Sequence, residues 1–263
     1  MLKALCPLIC TKDFMPWKTL VILLLLMSSG CGFTEARLKK EKEASAHYKL
    51  GISYLNENQL QKAFIEFHKA VEIDPNNKEV HYGLGHVHFQ KQDYTEAVNE
   101  FKKALSLDPQ FSEAHNYLGK VYEVQGTLDK AIAEYQAALK NPLYDTPQKP
   151  FLNLGLIYIK QEKYDHALRE FQNVLRIDPD NVVAHNEMGR SFYQMGKQKE
   201  AISSYQEAIR MAPNYLDAHY NLAFAYLKEG SKGLAASQFK KVIEISPQSQ
   251  LAKDSKKFLE TLQ

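Results

Sequence analysis

The chain has 263 residues, 44% of them hydrophobic, with 33 Lys and Arg against 31 Asp and Glu and a formal net charge of +2. So balanced a charge excludes the basic stripe of a nucleic-acid binder, and no nucleic-acid partner is expected. The three cysteines, Cys6, Cys10 and Cys31, all lie at the start, which excludes a disulfide framework or a cysteine metal site further along.

The first element is an apolar run, residues 19–29, with Lys18 before it and Gly30-Cys31 behind it. It is shorter than the roughly 20 residues of a comfortable membrane span and has the size of a signal-peptide core. A small residue followed by cysteine at its end resembles the lipobox of bacterial lipoproteins. In that family the signal is removed just before the cysteine, whose thiol is diacylated and whose amine is usually acylated too. The resemblance implies a signal peptide over 1–30 and lipidation at Cys31. Ser28 departs from the leucine that the family prefers there. An ordinary cleaved signal and a signal anchor stay open. Met15-Pro16-Trp17-Lys18 would form a shorter leading region, so starts at Met1 and at Met15 both stay open. Gly32 follows Cys31 where Gram-negative lipoproteins retained in the inner membrane carry aspartate. The expected address is therefore the outer membrane, periplasmic face, with the membrane contacted through the lipid. Removing 1–30 takes out Lys3, Lys12, Lys18 and Asp13 and leaves 30 basic against 30 acidic residues. Residues 31–43 then read as a charged tether.

From residue 44 the chain repeats itself. Leu-Gly or Met-Gly pairs place glycine at Gly51, Gly85, Gly119, Gly155 and Gly189, with spacings of 34, 34, 36 and 34 residues. Around each glycine the same residue types return. The first repeat has His47, Leu50, Gly51, Tyr54, Ala63, Phe67, Ala70 and Pro75, and the second has His81, Leu84, Gly85, His88, Ala97, Phe101, Ala104 and Pro109. The sixth still reads His219, Leu222, Ala223, Tyr226, Ala235, Phe239, Val242 and Pro247. This pattern resembles the tetratricopeptide repeat, a helix–turn–helix unit of 34 residues. The resemblance implies an all-α fold: a right-handed α-solenoid of six such repeats (44–77, 78–111, 112–147, 148–181, 182–215 and 216–249) closed by a capping helix over 250–263.

The residue types have physical reasons. Small residues sit where paired helices must approach closely, and a large aromatic such as Phe67 lies between two alanines to fill the gap. Asp74-Pro75, Asp108-Pro109 and Asp178-Pro179 stop the second helix, because the residue before proline is pushed out of the α region. Asn58, Asp93, Gly126, Lys163 and Gly196 fall in or beside the turns within pairs. The stretch Asn141–Pro147 holds two extra residues; a change of pitch that divides the array and an inert insertion both stay open. In the last segment Leu251, Phe258, Leu259 and Leu262 are expected to face repeat six.

Candidate chemistry is thin. His81, His86 and His88 lack the i, i+4 spacing of a helical zinc pair. Histidine recurs at one repeat position (His47, His81, His115, His185, His219), which points to packing between paired helices. No nucleophile, phosphate-loop or dinucleotide motif occurs. An enzyme, a metal site and a cofactor are therefore not expected.

The family resemblance implies that the first helix of each repeat lines a concave groove. Its fifth, ninth and twelfth positions read Tyr48, Ile52, Leu55; Tyr82, His86, Phe89; Asn116, Lys120, Glu123; Leu152, Leu156, Ile159; Asn186, Arg190, Tyr193; and Tyr220, Phe224, Leu227. Exposed apolar stripes of this kind suit a protein or peptide partner. Several of these residues packing against a neighbouring repeat is the alternative. Tyr48 and Ile52 stand where a clamp for chaperone tails would need lysine and asparagine, so that clamp is not expected.

A lipid-anchored array of six repeats resembles the type IV pilus biogenesis lipoproteins, which assist outer-membrane localisation and multimerisation of the secretin pore. The resemblance implies a scaffold whose partners are secretin subunits. An envelope adaptor for peptidoglycan enzymes or another periplasmic machine is the alternative.

Overall fold

The structure, a computed structural model, describes the backbone of residues 17–262 and the side chains of residues 37–262. Cys31 and the apolar run lie outside the residues described to the side chain. Every regular element among the described residues is α-helical: α1 (Trp17–Asn56), α2 (Leu60–Ile73), α3 (Lys78–Gln90), α4 (Tyr94–Leu107), α5 (Ser112–Val124), α6 (Leu128–Ala138), α7 (Gln148–Lys160), α8 (Tyr164–Ile177), α9 (Val182–Gln194), α10 (Gln198–Met211), α11 (Leu216–Glu229), α12 (Lys232–Ile245) and α13 (Gln250–Leu262). Among the described residues no helix is long and apolar enough to cross a membrane. The fold is the expected all-α solenoid class of helix–turn–helix repeats. Each repeat supplies a first helix (A) and a second helix (B).

The chain divides into two compact units, Met1–Gly83 and Leu84–Gln263. In the first unit, α1 runs unbroken through the charged tether into the A helix of repeat one. Helix-forming Glu, Lys, Ala and Arg residues and the exposed i, i+4 pair Arg37–Glu41 (2.9 Å) favour that continuity by a few tenths of a kcal/mol at most. Against it lies α2, whose Ala63, Phe67 and Ala70 are fully buried. The Phe67 ring lies over two backbones at once. A methyl on Gly51 would stand 2.6 Å from its Cδ1, and one on Gly83 2.7 Å from its Cε1.

The second unit repeats the device. Phe101 covers Gly85, Tyr135 covers Gly119, Phe171 covers Gly155 and Tyr205 covers Gly189. Each ring is flanked by fully buried small residues one helical turn away, such as Ala97 and Ala104 or Ala131 and Ala138. Burying one such ring removes about 150–250 Å² from water. At about 25 cal/mol per Å² that is a gross gain of about 4–6 kcal/mol per repeat. Repeat six carries Ala223 where the others have glycine, and its Phe239 ring lies instead among Tyr220, Phe224 and Phe258, 5.4–5.9 Å away.

The turns follow from local chemistry. Asp74, Asp108 and Asp178, each before a proline, take backbones outside the α region with ψ of 86, 99 and 85°. The turn within each pair places one residue in the left-handed region: Asn58, Gln92, Gly126, Glu162, Gly196 and Gly230. Gln92 and Glu162 hold φ of 63° and 59° at positions that suit glycine. At the insertion, α6 has 11 residues where α4 and α8 have 14. The extra loop is anchored to the array. Tyr144 is buried, Asn141 Nδ2 donates to the Gln110 carbonyl (3.3 Å), and Leu143 stands 85% exposed.

Two details depend on position in the array. Leu50 is 47% exposed, although its counterparts Leu84, Leu154 and Leu222 are 2% exposed. Leu222 packs with Ala201, Ile202 and Tyr205 of the preceding B helix; Leu50 belongs to the first repeat and has no such cover among the described residues. In α13 the buried residues are Ala252 and Ser255, with Leu251, Phe258, Leu259 and Leu262 only partly buried. The capping helix docks through its small residues, as an A helix does, and adds the stacked pair Phe258–Phe239 at 5.4 Å.

Two outcomes are expected in thermal unfolding. Gly119→Ala should destabilise by about 1–3 kcal/mol, because its methyl meets the Tyr135 ring at 2.7 Å. Glu162→Gly should stabilise by about 0.5–1 kcal/mol, since relief of a left-handed L-residue exceeds the added unfolded-state entropy.

Candidate functional site

The recurring histidine is a strap as well as a packing residue. In the four repeats that follow a proline-closed turn, its Nε2 lies on the carbonyl of that proline: His81 on Pro75 (2.9 Å), His115 on Pro109 (3.2 Å), His185 on Pro179 (3.1 Å) and His219 on Pro213 (2.9 Å). A carbonyl only accepts, so Nε2 carries the proton. Nδ1 reaches the B helix of its own repeat: His47 on Glu66 and His115 on Glu134, both 2.6 Å, and His219 on Gln238 at 2.7 Å. Repeat four follows the insertion, has no proline carbonyl at that place, and carries Phe151 instead. These histidines are structural, and among the described residues no cluster of His, Cys, Asp and Glu could hold a metal ion.

The A-helix residues divide by unit. In the first unit Tyr48 is half-buried with its ring 6.0 Å from Phe67, and burial followed by Glu79 pushes its hydroxyl above the usual tyrosine range. Ile52 and Tyr82 are half-buried, and Leu55 is buried. Leu55 therefore serves the core more than a surface.

In the second unit the A helices are joined by polar rungs. Asn153 Nδ2 donates to Asn116 Oδ1 (3.4 Å), and Asn221 Nδ2 donates to Asn186 Oδ1 (3.1 Å). Asn116 and Asn186 are each 2% exposed, so both sit inside the junctions between repeats. Lys160 Nζ donates to Glu123 Oε1 (2.6 Å), and Lys228 Nζ to the Tyr193 carbonyl (3.2 Å) while lying over its ring. Ile159 is buried, and Leu152 and Leu156 pack on the cluster of Phe171 and Val174. Phe224 and Tyr220 lie against Phe239, and Phe224 meets Phe258 of α13 at 4.9 Å. The C-terminal helix covers part of the stripe expected to stay open at that end.

Two neighbourhoods stand out. At the first, the Tyr117 ring takes His86 edge-on at 4.5 Å, Phe89 at 6.1 Å and Lys120 over its face at 4.8 Å. Burial, helped by the Lys120 ammonium, holds the His86 imidazole down to about 4, so it is neutral at neutral pH. At the second, Glu187 is 8% exposed, and its carboxylate accepts from Asn186 Nδ2 (2.9 Å) and Arg190 (3.0 Å). Burial raises this carboxyl; Arg190 and Asn186 oppose the rise. Under each neighbourhood the ring that covers glycine is a tyrosine, not phenylalanine. Tyr135 donates its hydroxyl to Glu123 (3.1 Å), and the Tyr205 hydroxyl is pushed up by burial and by Glu187. Tyr117, Asn153, Glu187 and Asn221 share the sixth position of the A helix. Extending the stripe to that position would have found them.

The comparisons agree with this architecture. The TPR repeat model matches residues 53–92, 85–126, 155–196 and 189–230, and a second tetratricopeptide repeat model matches 216–249. Among curated proteins, none matches. Among solved structures, Pseudomonas aeruginosa pilF is similar at 22% identity and a TM-score of 0.73, covering 82% of this chain and 97% of its own. PilW, a widely conserved type IV pilus biogenesis factor, is similar at 19% identity and 0.72, covering 83% and 97%. YrrB, a TPR protein with an unusual peptide-binding site, is similar at 25% identity and 0.60, covering 73% and 97%. With repeat models spanning more than half of its length, the chain belongs to the tetratricopeptide-repeat family.

Proposed function

We propose that this chain is a lipid-anchored scaffold that helps the type IV pilus secretin reach the outer membrane and assemble there. The observation that carries the reading is the match in extent to two pilus proteins. Nearly the whole of each, 97%, is covered by this one array. The lipobox-like Gly30-Cys31 adds the anchor, and the A-helix faces add a surface for a polypeptide. The mechanism is tethering. The lipid at Cys31 holds the array at the membrane, two or more acyl chains being enough for stable anchoring. The repeats hold a segment of each secretin subunit beside it. Raised local concentration then favours assembly with no catalytic step.

A clean deletion strain should show little multimeric secretin in outer-membrane fractions and few surface pili. Normal multimers and normal pili would reject the reading and favour the adaptor for peptidoglycan enzymes. Cys31→Ser should move the protein into the soluble periplasmic fraction, with multimers forming in the wrong membrane. Mass spectrometry that finds an unmodified Cys31 in the wild type would remove the anchor from the mechanism.

A further inference from the structure

We infer that the uncovered face of α1, on the far side of the first repeat from α2, lies on the membrane surface beside the lipid, with Leu38, Ala46 and Leu50 against it and Lys39, Lys42 and Lys49 on the headgroups of anionic phospholipid. The inference rests on the anchor reading at Cys31 and adds a second membrane contact to it.

The two sides of α1 differ. One turns Gly51 under the Phe67 ring of α2, with Ala44 and Leu55 also buried. The other is exposed. At about 3.6 residues per turn, Leu38, Lys42 and Lys49 fall in one row, with Lys39, Ala46 and Leu50 beside it. Leu38 is 54% and Leu50 47% exposed. Leu38, Lys42, Ala46 and Lys49 line one open groove along the helix. In repeat six the matching leucine, Leu222, lies against Ala201, Ile202 and Tyr205 of the B helix before it. In repeat one nothing among the described residues takes that place.

Charge selects what does. Lys39, Lys42 and Lys49 are exposed, and none makes a hydrogen bond or ion pair among the described residues. Glu41 and Glu43 fall on the two edges of the face, and Glu41 is held by Arg37 at 2.9 Å. The face therefore carries three cations and no acid, although the chain past residue 30 is balanced. An anionic lipid surface attracts each such cation within a Debye length. The leucines between them enter the boundary of headgroup and acyl chain, and the lysine stems lie along it with their ammonium groups at the phosphates.

The place on the chain agrees with the charge. The helix α1 is unbroken from before Cys31 to Asn56, and Leu38 follows Cys31 by seven residues, about two turns. The register that joins Leu38, Lys42 and Lys49 therefore includes position 31, so the lipid attachment and the face share one side of the helix. A second copy fits this face worse. Copies anchored in one membrane would run their α1 helices parallel, and lysine would meet lysine along the seam.

The test uses the mature lipidated protein, purified from membranes and reconstituted into phosphatidylethanolamine vesicles with or without phosphatidylglycerol. Ala46→Cys supplies a thiol for a fluorophore on the face, and Glu72→Cys supplies one on the exposed side of α2. A lipid-borne nitroxide should quench the label at position 46 about threefold more than the label at position 72, in the anionic vesicles only, and less as salt rises. Lys39→Gln with Lys42→Gln and Lys49→Gln should remove that difference while the lipid keeps the protein on the vesicles and helical circular dichroism is intact. Arginine at the same three positions should retain most of it. Equal quenching at positions 46 and 72, or equal quenching on neutral and anionic vesicles, would overturn the inference. So would loss of the quenching to free inorganic phosphate at constant ionic strength, since the lysines would then hold single phosphates. Excimer formation between labels at position 46 would overturn it too and assign the face to a second copy. Failure of the anchor reading looks different. A protein with an unmodified Cys31 would not float with neutral vesicles, and the contact would fall with the anchor; a protein that floats without quenching loses the contact alone.

Discussion

The array depends on one contact: an aromatic ring on the second helix of a repeat lying directly over a glycine backbone on the first. The ring reaches the backbone only where no Cβ intervenes, so Gly51, Gly85, Gly119, Gly155 and Gly189 sit beneath Phe67, Phe101, Tyr135, Phe171 and Tyr205. Alanines one turn away on the second helix let the two helices close around it. The contact also reaches the surface chemistry. Where the ring is tyrosine, its hydroxyl comes up beside the face of the first helices, touching Glu123 in repeat three and influenced by Glu187 in repeat five. A phenylalanine at either place would fill the same gap without a hydroxyl, leaving Glu123 to Lys160 and Glu187 to Asn186 and Arg190.

The links between repeats are a second layer of the same logic. A proline follows the second helix of repeats one, two, four and five, and the histidine of the next repeat binds its carbonyl. Where the proline is displaced by the insertion, the histidine is replaced by Phe151 and the loop is held by Tyr144 and Asn141 instead. Because stability in such an array is a sum of neighbouring contacts, one altered junction need not disturb the others. It becomes a place where a surface can differ locally.

Much of the fold was legible in the sequence because a repeat tests every assignment several times over. Glycine, aromatic and proline at fixed offsets located the helix pairs, the turns and the core rings. What stayed hidden depended on neighbours, not on residue type. Leu50 has the same identity as Leu222 but a different environment, since among the described residues no earlier repeat covers it. In the capping helix Phe258 faces repeat six as its residue type suggested, while the fully buried contacts come from Ala252 and Ser255, which the pattern did not single out. The candidate site was legible as a stripe, not as a set of contacts. Its asparagines turned inward as rungs between repeats, Phe224 was taken up by the cap, and the residues with the most perturbed surroundings lie one position away.

The function that follows is physical and local. In the proposed function a face built from the first helices would present apolar surface, paired charges and amide groups to an extended chain, and a lipid would keep that face at a membrane. The most direct measurement of this account is site-specific photo-cross-linking in living cells, with the photoreactive group at Leu156 on the first-helix face or at Gln172 on the exposed side of α8. The account predicts that Leu156 captures a defined segment of the secretin subunit and that Gln172 does not. Capture of that segment equally from both positions, or from Gln172 alone, would contradict it.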